Sequence, residues 1–311
     1  MKQCLMPQPI HASGIALLEQ AGIEPVIGET AFEMADPQRV VAGIFRASPL
    51  RRTDMERFKN LRVIGVHGVG VDNIDLPAAS DQAITVFNIP GRNTRSVAEH
   101  AIALMFALSK QLLASDQASR AGDMNFRYRA RLTELEGATL GLIGFGAIGK
   151  ATGALALALG MRVQVLARSA TGEQLQALGM ARADSLEGLL QSSDIVSLHL
   201  PSVPQTYHLI GAAELKLMQP HALLINTGRG SLIDEPALIQ ALQQGAIGGA
   251  GLDVFASDDM PAHYPLLTLP NVVLTPHTGA STEQSLIRMA SAVVAGVLQV
   301  LAGEEPANRV V

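Results

Sequence analysis

Thr139-Leu140-Gly141-Leu142-Ile143-Gly144-Phe145-Gly146-Ala147-Ile148-Gly149 is the stretch that decides the fold. A short apolar run stops at a cluster of glycines, and Ala- and Leu-rich sequence from Lys150 to Gly160 follows with few breakers. That order predicts strand, tight turn, helix. In such a turn Gly144 admits the sharp bend, Gly146 removes the side chain that would hold a pyrophosphate off the backbone, and Gly149 lets the helix pack close to the strand. Free N–H groups at the helix start then hold the anion. Phe145, Ala147 and Ile148 lie between these glycines and share the predicted dinucleotide contact. Placement between a strand and a helix is what separates this motif from an ordinary glycine turn.

The remainder of the chain sets the frame for that unit. At 311 residues it has room for about two domains, and 48% hydrophobic residues supply a large core. A balance of 23 basic against 28 acidic residues, without a basic run, excludes a nucleic-acid surface. Cys4 is the single cysteine, which excludes a disulfide framework or a cysteine metal site within one chain. No signal-peptide core and no uninterrupted apolar run of about 18 residues is present, so the expectation is a cytoplasmic protein without a membrane partner. Histidines and acids never cluster at ligand spacing, so no metal site is expected.

Upstream of the glycine turn, short apolar runs alternate with helical patterns, and Ala42 to Phe45, Arg62 to Val66 and Ile84 to Phe87 read as parallel strands. The second of these runs into His67-Gly68-Val69-Gly70-Val71-Asp72-Asn73-Ile74-Asp75. Glycines at the C-terminal end of a parallel strand expose backbone donors, and Val69 and Gly70 are placed to hold a small carboxylate. A long helix begins near Ser96, which has the Ser-x-x-Glu spacing of a capping box with Glu99, and continues through Leu113. Because the glycine turn follows this helix, the nucleotide domain (94–283) is expected to be inserted into a first domain made of 1–93 and 284–311. Arg127, Arg129 and Arg131, in an irregular segment, read as solvated.

After the fingerprint, Arg162 to Ala167 forms the next strand, where a free ribose 2′-hydroxyl ordinarily meets an acid. Here the residues are Ala167, Arg168 and Ser169, with Thr171 beyond. Without a carboxylate to repel a 2′-phosphate, and with an arginine and hydroxyls to bind it, NADP(H) is favoured over NAD(H), which stays possible. Further strands are predicted at Asp194 to Leu198, Ala222 to Asn226, Gly249 to Val254 and Asn271 to Thr275. Their ends carry Thr227 and Arg229, Asp253, and His277 and Gly279 on one edge of the sheet. Reducing a 2-keto acid needs a clamp for carboxylate and carbonyl and an acid for the developing alkoxide. Arg229 offers the planar fork and His277 the proton. A carboxylate on the second ring nitrogen of His277 would fix its tautomer, and Asp258 and Asp259 both lie in the loop between Asp253 and His277.

At these residues the chain resembles the D-isomer-specific 2-hydroxyacid dehydrogenases. The resemblance runs nearly end to end, through Gly68 to Asp75, Ser96-Val97-Ala98-Glu99-His100, the glycine fingerprint, His199-Leu200-Pro201, Asn226-Thr227-Gly228-Arg229-Gly230, Gly251-Leu252-Asp253-Val254-Phe255 and Thr275-Pro276-His277. It implies α/β architecture with two Rossmann-like domains, one flavodoxin-like and one dinucleotide-binding, each with a parallel sheet, a cleft between them, and usually a homodimer. It also implies that Arg229 binds substrate, that His277 is the acid/base, and that the loop of His67, Gly68, Val69 and Gly70 serves the substrate carboxylate. Asp253 is assigned to the nicotinamide end, with Thr227 and Gly279 as further cofactor contacts, and Arg46 falls where some members hold a second anion. Counting from the arginine motif selects Asp258 over Asp259, at a position where the family usually has glutamate. His221 departs from a usual glycine.

The resulting expectation is an NADP(H)-preferring oxidoreductase that reduces a small 2-keto acid, of glyoxylate or hydroxypyruvate type, to the D-2-hydroxy acid. The alternatives are a dehydrogenase of a larger or doubly charged 2-hydroxy acid, of D-3-phosphoglycerate type, and a non-catalytic dinucleotide-sensing protein similar to the C-terminal-binding-protein corepressors.

Overall fold

Alternation of apolar runs with helical stretches produces two all-parallel sheets in the computed structural model, which describes residues 1–257 and 260–311. The chain divides into two units, Met1–Asn93 with Ala280–Val311, and Thr94–Gly279. The chain returns to the first unit at Ala280, ahead of the expected residue 284.

The first unit carries β1 (Lys2–Met6), β2 (Ile23–Ile27), β3 (Val40–Phe45), β4 (Val63–Val66) and β5 (Thr85–Phe87) in the order β2-β1-β3-β4-β5. This is the flavodoxin-like winding. One face of its sheet is covered by the last helix, Glu283–Leu301, whose N-terminus is capped by the Thr282 hydroxyl accepting from Ser285 N–H at 3.3 Å. That helix is long and apolar enough to cross a membrane by length and composition, but Met289, Val293, Val294 and Val297 are buried in one cluster with Ala42, Ile44 and Val63.

Close approach of helix to sheet depends on Gly65 in β4. A Cβ there would lie 2.6 Å from Val293 Cγ2 and 3.0 Å from Phe87 Cζ. Overpacking a filled core costs about 1–3 kcal/mol. Gly65→Ala is therefore expected to lower the thermal midpoint, and Val293→Ala in the same chain to restore part of the loss. A Gly65→Ala midpoint equal to that of the parent would show that the helix is not seated on β4.

The second unit carries β6 (Thr139–Ile143), β7 (Arg162–Leu166), β8 (Ala181–Arg182), β9 (Ile195–Leu198), β10 (Leu223–Asn226), β11 (Gly249–Leu252) and β12 (Val272–Leu274). Their order is β12-β11-β10-β9-β6-β7-β8. The strand that feeds the glycine turn, β6, pairs with β7 on one side and β9 on the other, so the winding reverses there. A reversal of this kind opens a crevice at the C-terminal ends of the strands, where open α/β sheets take their ligands.

Two local readings change in this unit. The expected helix from Ser96 through Leu113 runs instead from Thr94 to Ser109, and a second helix, Leu112–Arg120, follows Gln111 at φ 46°. A left-handed residue cannot continue an α-helix, so the apolar pattern carries on while the helix does not. Ser96 does not form the expected capping box with Glu99. It lies buried within the first turn and its hydroxyl donates to Gly279 O at 2.6 Å, while Glu99 pairs with Arg95. Of the three clustered arginines, Arg129 pairs with Asp123 and Arg127 lies 4.8 Å over the Tyr128 ring.

Candidate active site

The glycine turn follows β6 and leads into the helix Ala147–Ala158. Gly144 has φ 98°, and a Cβ there would collide with the His199 carbonyl. A Cβ on Gly149 would collide with the carbonyl of Gly144, so helix and turn meet backbone to backbone. Gly146 differs: a Cβ there would meet nothing within 4 Å. It is the N-cap, no side chain caps the helix start, and the exposed Gly146 and Ala147 leave the first-turn N–H groups open. The tight packing at Gly144 and Gly149 with open space at Gly146 fits a pyrophosphate held by a helix N-terminus. Phe145 is buried beneath the turn, and Ile148 is half-buried. His199 borders this turn, bonds Ser197 Oγ at 2.9 Å, and is pushed down to about 4 by burial, so it is neutral at physiological pH.

Next to this turn β7 ends. Gly144 N–H donates to Leu166 O at 3.0 Å, which brings Ala167, Arg168 and Ser169 beside the glycines. Arg168 and Ser169 are exposed, and Arg168 has no carboxylate partner among the described residues. None of these three residues, at positions 167–169, is an acid.

Beyond the switch point, Asn226 ends β10 and organises the loop that carries Arg229. Its side-chain Oδ1 accepts from Gly228 N–H at 3.0 Å and its Nδ2 donates to Arg229 O at 2.9 Å. Arg229, half-buried, also donates from Nη1 to Gly228 O at 2.9 Å. Thr227 Oγ1 is buried without a hydrogen-bond partner among the described residues, an orphan that a bound ligand would satisfy. Glu235, buried one turn further on, accepts from Ala256 N–H at 3.0 Å and from the Tyr264 hydroxyl, and so ties down the segment that follows β11. Burial, with Glu235 alongside, pushes the Tyr264 phenol up to about 12.

Asp253 follows β11 directly and has both carboxylate oxygens engaged. Its Oδ1 accepts from Thr275 Oγ1 at 2.6 Å and Thr278 N–H at 2.8 Å, and its Oδ2 accepts from Gly279 N–H at 2.9 Å. Its backbone carbonyl takes His277 N–H at 3.0 Å. Burial alone would raise this carboxyl, but donors from His100, Thr275, Gly279 and Thr278 outweigh it and hold the group below the usual carboxylate range. The resemblance assigns Asp253 and Gly279 to the cofactor; in the structure both oxygens of Asp253 are engaged by the turn, and buried Gly279 gives its N–H to Asp253 and its carbonyl to Ser96. The product of this clamp is the conformation of His277, an exposed imidazole on a backbone at φ 54°.

In the first unit, the loop after β4 presents Gly68, Val69 and Gly70. Gly68 O accepts from Ile89 N–H at 3.0 Å and Val69 O from Asn88 Nδ2 at 2.7 Å, while the N–H groups of Val69 and Gly70 donate no hydrogen bond among the described residues. His67 is buried, and neither of its ring nitrogens has a partner there. Burial, with the positive Arg46 nearby, pushes it down to about 4. Arg46 is half-buried and donates to Pro9 O at 3.3 Å. Asp258 and Asp259 lie outside the described residues. His221 bonds Asp194 Oδ1 at 2.8 Å, and Asp194 in turn accepts from Thr139 N–H at 2.7 Å, so the histidine without a functional reading secures the start of β6. Sequence reasoning did not single out His100, whose Nε2 lies 2.9 Å from Thr275 Oγ1 and 3.3 Å from Asp253 Oδ1.

Residues 102–279 match the model of the D-isomer specific 2-hydroxyacid dehydrogenase NAD-binding domain. The chain is 37% identical over 311 residues to a D-3-phosphoglycerate dehydrogenase of Methanocaldococcus jannaschii, covering 99% of this chain and 59% of that protein, so it spans little more than half of that relative. It is 39% identical over 267 residues to a glyoxylate reductase of Thermococcus litoralis, covering 82% of this chain and 78% of that one. Among solved structures, an NADPH-dependent glyoxylate/hydroxypyruvate reductase from Sinorhizobium meliloti, in complex with citrate, superposes with a TM-score of 0.86 at 29% identity, covering 100% of this chain and 98% of that one. With a parallel sheet that reverses at its glycine turn, and relatives of this identity along most of its length, the chain belongs to the D-isomer specific 2-hydroxyacid dehydrogenase family.

Proposed function

We propose that the chain reduces a small 2-keto acid to the D-2-hydroxy acid, with NADPH favoured over NADH. The observation that carries the chemistry is the placement of Arg229 and His277 after β10 and β12, the two neighbours of β11, whose Asp253 holds the His277 turn. A reduced nicotinamide, when bound, supplies the hydride. Arg229 orients the carbonyl and draws charge toward its oxygen, and His277 delivers the proton to that oxygen as the alkoxide develops. The open donors of Val69 and Gly70 are assigned to the substrate carboxylate, and Asp258 to the second ring nitrogen of His277. Relatives that are glyoxylate reductases support a small keto acid.

The cofactor preference rests on exposed Arg168 and Ser169 where an acid would hold a ribose diol. A hydrogen bond to a charged group contributes about 1.5–3 kcal/mol, or roughly 10- to 150-fold. Arg168→Ala is expected to lower kcat/KM for NADPH by about that factor and to change the NADH value little. Equal losses with both cofactors, or a parent enzyme that prefers NADH, would overturn the NADPH assignment and leave the reductase reading in place.

A second reading has its own support. Arg46, half-buried without a carboxylate partner among the described residues, suits a substrate with a second negative charge, as in the phosphoglycerate dehydrogenase relative. Initial rates on a panel from glyoxylate and hydroxypyruvate to dicarboxylic and phosphorylated keto acids separate the two. Tight NADPH binding with no turnover across that panel would make the chain a dinucleotide-binding protein without chemistry.

A further inference from the structure

We propose that His100 is a positioning residue for His277, acting through Thr275 and Asp253. The role of His277 as the proton donor is taken from the reductase reading above. The mount itself is read from hydrogen bonds alone.

Thr275 has one hydroxyl proton, and the 2.6 Å approach to Asp253 Oδ1 gives that proton to the carboxylate. The lone pair left on Thr275 Oγ1 therefore faces His100 Nε2 at 2.9 Å, which fixes the ring nitrogen as the donor. The same Nε2 lies 3.3 Å from Asp253 Oδ1, so the ring nitrogen faces both the hydroxyl and the carboxylate. Asp253, only 2% exposed at its side chain, has no solvent to replace a lost donor. Its two oxygens then hold Thr278 and Gly279 by their N–H groups, on the far side of His277 from Thr275.

The same helix supplies a second anchor. Ser96 and His100 stand four residues apart on Thr94–Ser109 and so share a face. Ser96 Oγ donates to Gly279 O, beyond His277, while His100 holds Thr275, ahead of it. The five-residue turn is thus pinned to one rigid helix at both ends. It needs pinning: a non-glycine residue at φ 54° sits in a sparsely populated region and persists only where the surroundings over-determine it. Gly279 is part of the fit, since a Cβ there would lie 2.8 Å from Asp253 Oδ2 and 3.4 Å from His100 Cδ2.

The test compares His100→Phe, which fills the space without a donor, with His100→Gln, whose amide can donate from a similar point. Misplacing a reacting group by about 1 Å can cost roughly 100-fold in rate. His100→Phe is expected to lower kcat by about 10- to 100-fold, with KM for the keto acid within about threefold and NADPH Kd within about twofold, and His100→Gln is expected to recover most of the loss. Amide hydrogen exchange at Thr278 and Gly279 is expected to quicken at least tenfold in the Phe variant and to stay near parental in the Gln variant, about the change that 1.4 kcal/mol of lost protection gives. Thr275→Val, which removes the shared hydroxyl at nearly constant volume, is the second route to the same loss should His100→Phe not fold.

Parental kcat and exchange in both the Phe and Val variants would overturn the proposal. So would equal impairment in His100→Phe and His100→Gln, or a fall of kcat, NADPH affinity and thermal midpoint together, since either assigns His100 to packing. If the parent turned over no keto acid, the reductase reading would fail, and the exchange rates would still decide the mount.

Discussion

Replacing His277 with asparagine is expected to lower kcat for keto-acid reduction by about 10²- to 10⁴-fold, the usual span for a positioned general acid. Asparagine is the informative replacement because of the backbone. At φ 54° an alanine would add left-handed strain to the loss of the imidazole, whereas asparagine is among the few residues that adopt this region readily. The His277 N–H bond to Asp253 O is a backbone bond and survives the change, as do the Thr278 and Gly279 bonds to the carboxylate. The variant therefore keeps the turn and loses the imidazole to which the proton transfer is assigned. Cofactor affinity is expected to stay within about twofold, because the glycine turn after β6 is elsewhere on the sheet. Retention of more than a tenth of the parental kcat would show that the proton reaches the alkoxide from another donor, and the role given to His277 would fall.

Much of this site was legible in the sequence because glycines and strand ends leave local signals. The turn at Gly144, Gly146 and Gly149 could be read from spacing, and the structure gives each glycine a separate reason: bend, open space, close packing. What the sequence hid was decided by partners far along the chain. Ser96 satisfies a capping pattern with Glu99, yet its hydroxyl is taken by Gly279 O, 183 residues away. His100 gave one usable signal, its position four residues from Ser96 on the face that also buries Val97, Ala101 and Leu104. That places it inward, but only the fold shows that Thr275 and Asp253 meet it there. In the first unit, β1 and β2 escaped notice because Lys2-Gln3 and Glu24-Pro25 break their apolar runs. Proline is tolerated in β2 because that strand is at the sheet edge. The two-residue β8 is too short to leave any pattern.

Gly230→Ala is expected to be the most damaging single-methyl addition near the site, with a loss exceeding about 4 kcal/mol and a fall of roughly 10 °C or more in thermal midpoint. Its backbone is not left-handed, so conformational freedom is not the reason. Space is: a Cβ at Gly230 would overlap the carbonyl of Phe255 and come within 2.7 Å of Ala256 N. Those atoms are backbone and cannot rotate away, and Ala256 N–H is already committed to Glu235. Either the Arg229 loop or the segment after β11 must move, and either movement shifts Arg229 or strips a donor from a buried acid. Gly228→Ala, two residues earlier, provides the control. Its nearest neighbour is Leu200 O at 3.3 Å, tight enough to need a shift of a few tenths of an ångström and no more. A small change at 228 with a collapse at 230 would show that the guanidinium after β10 is set by backbone contact with the segment after β11. Parental stability and kcat/KM in Gly230→Ala would mean that the two segments are not in contact, and the position given to Arg229 would have to be redrawn.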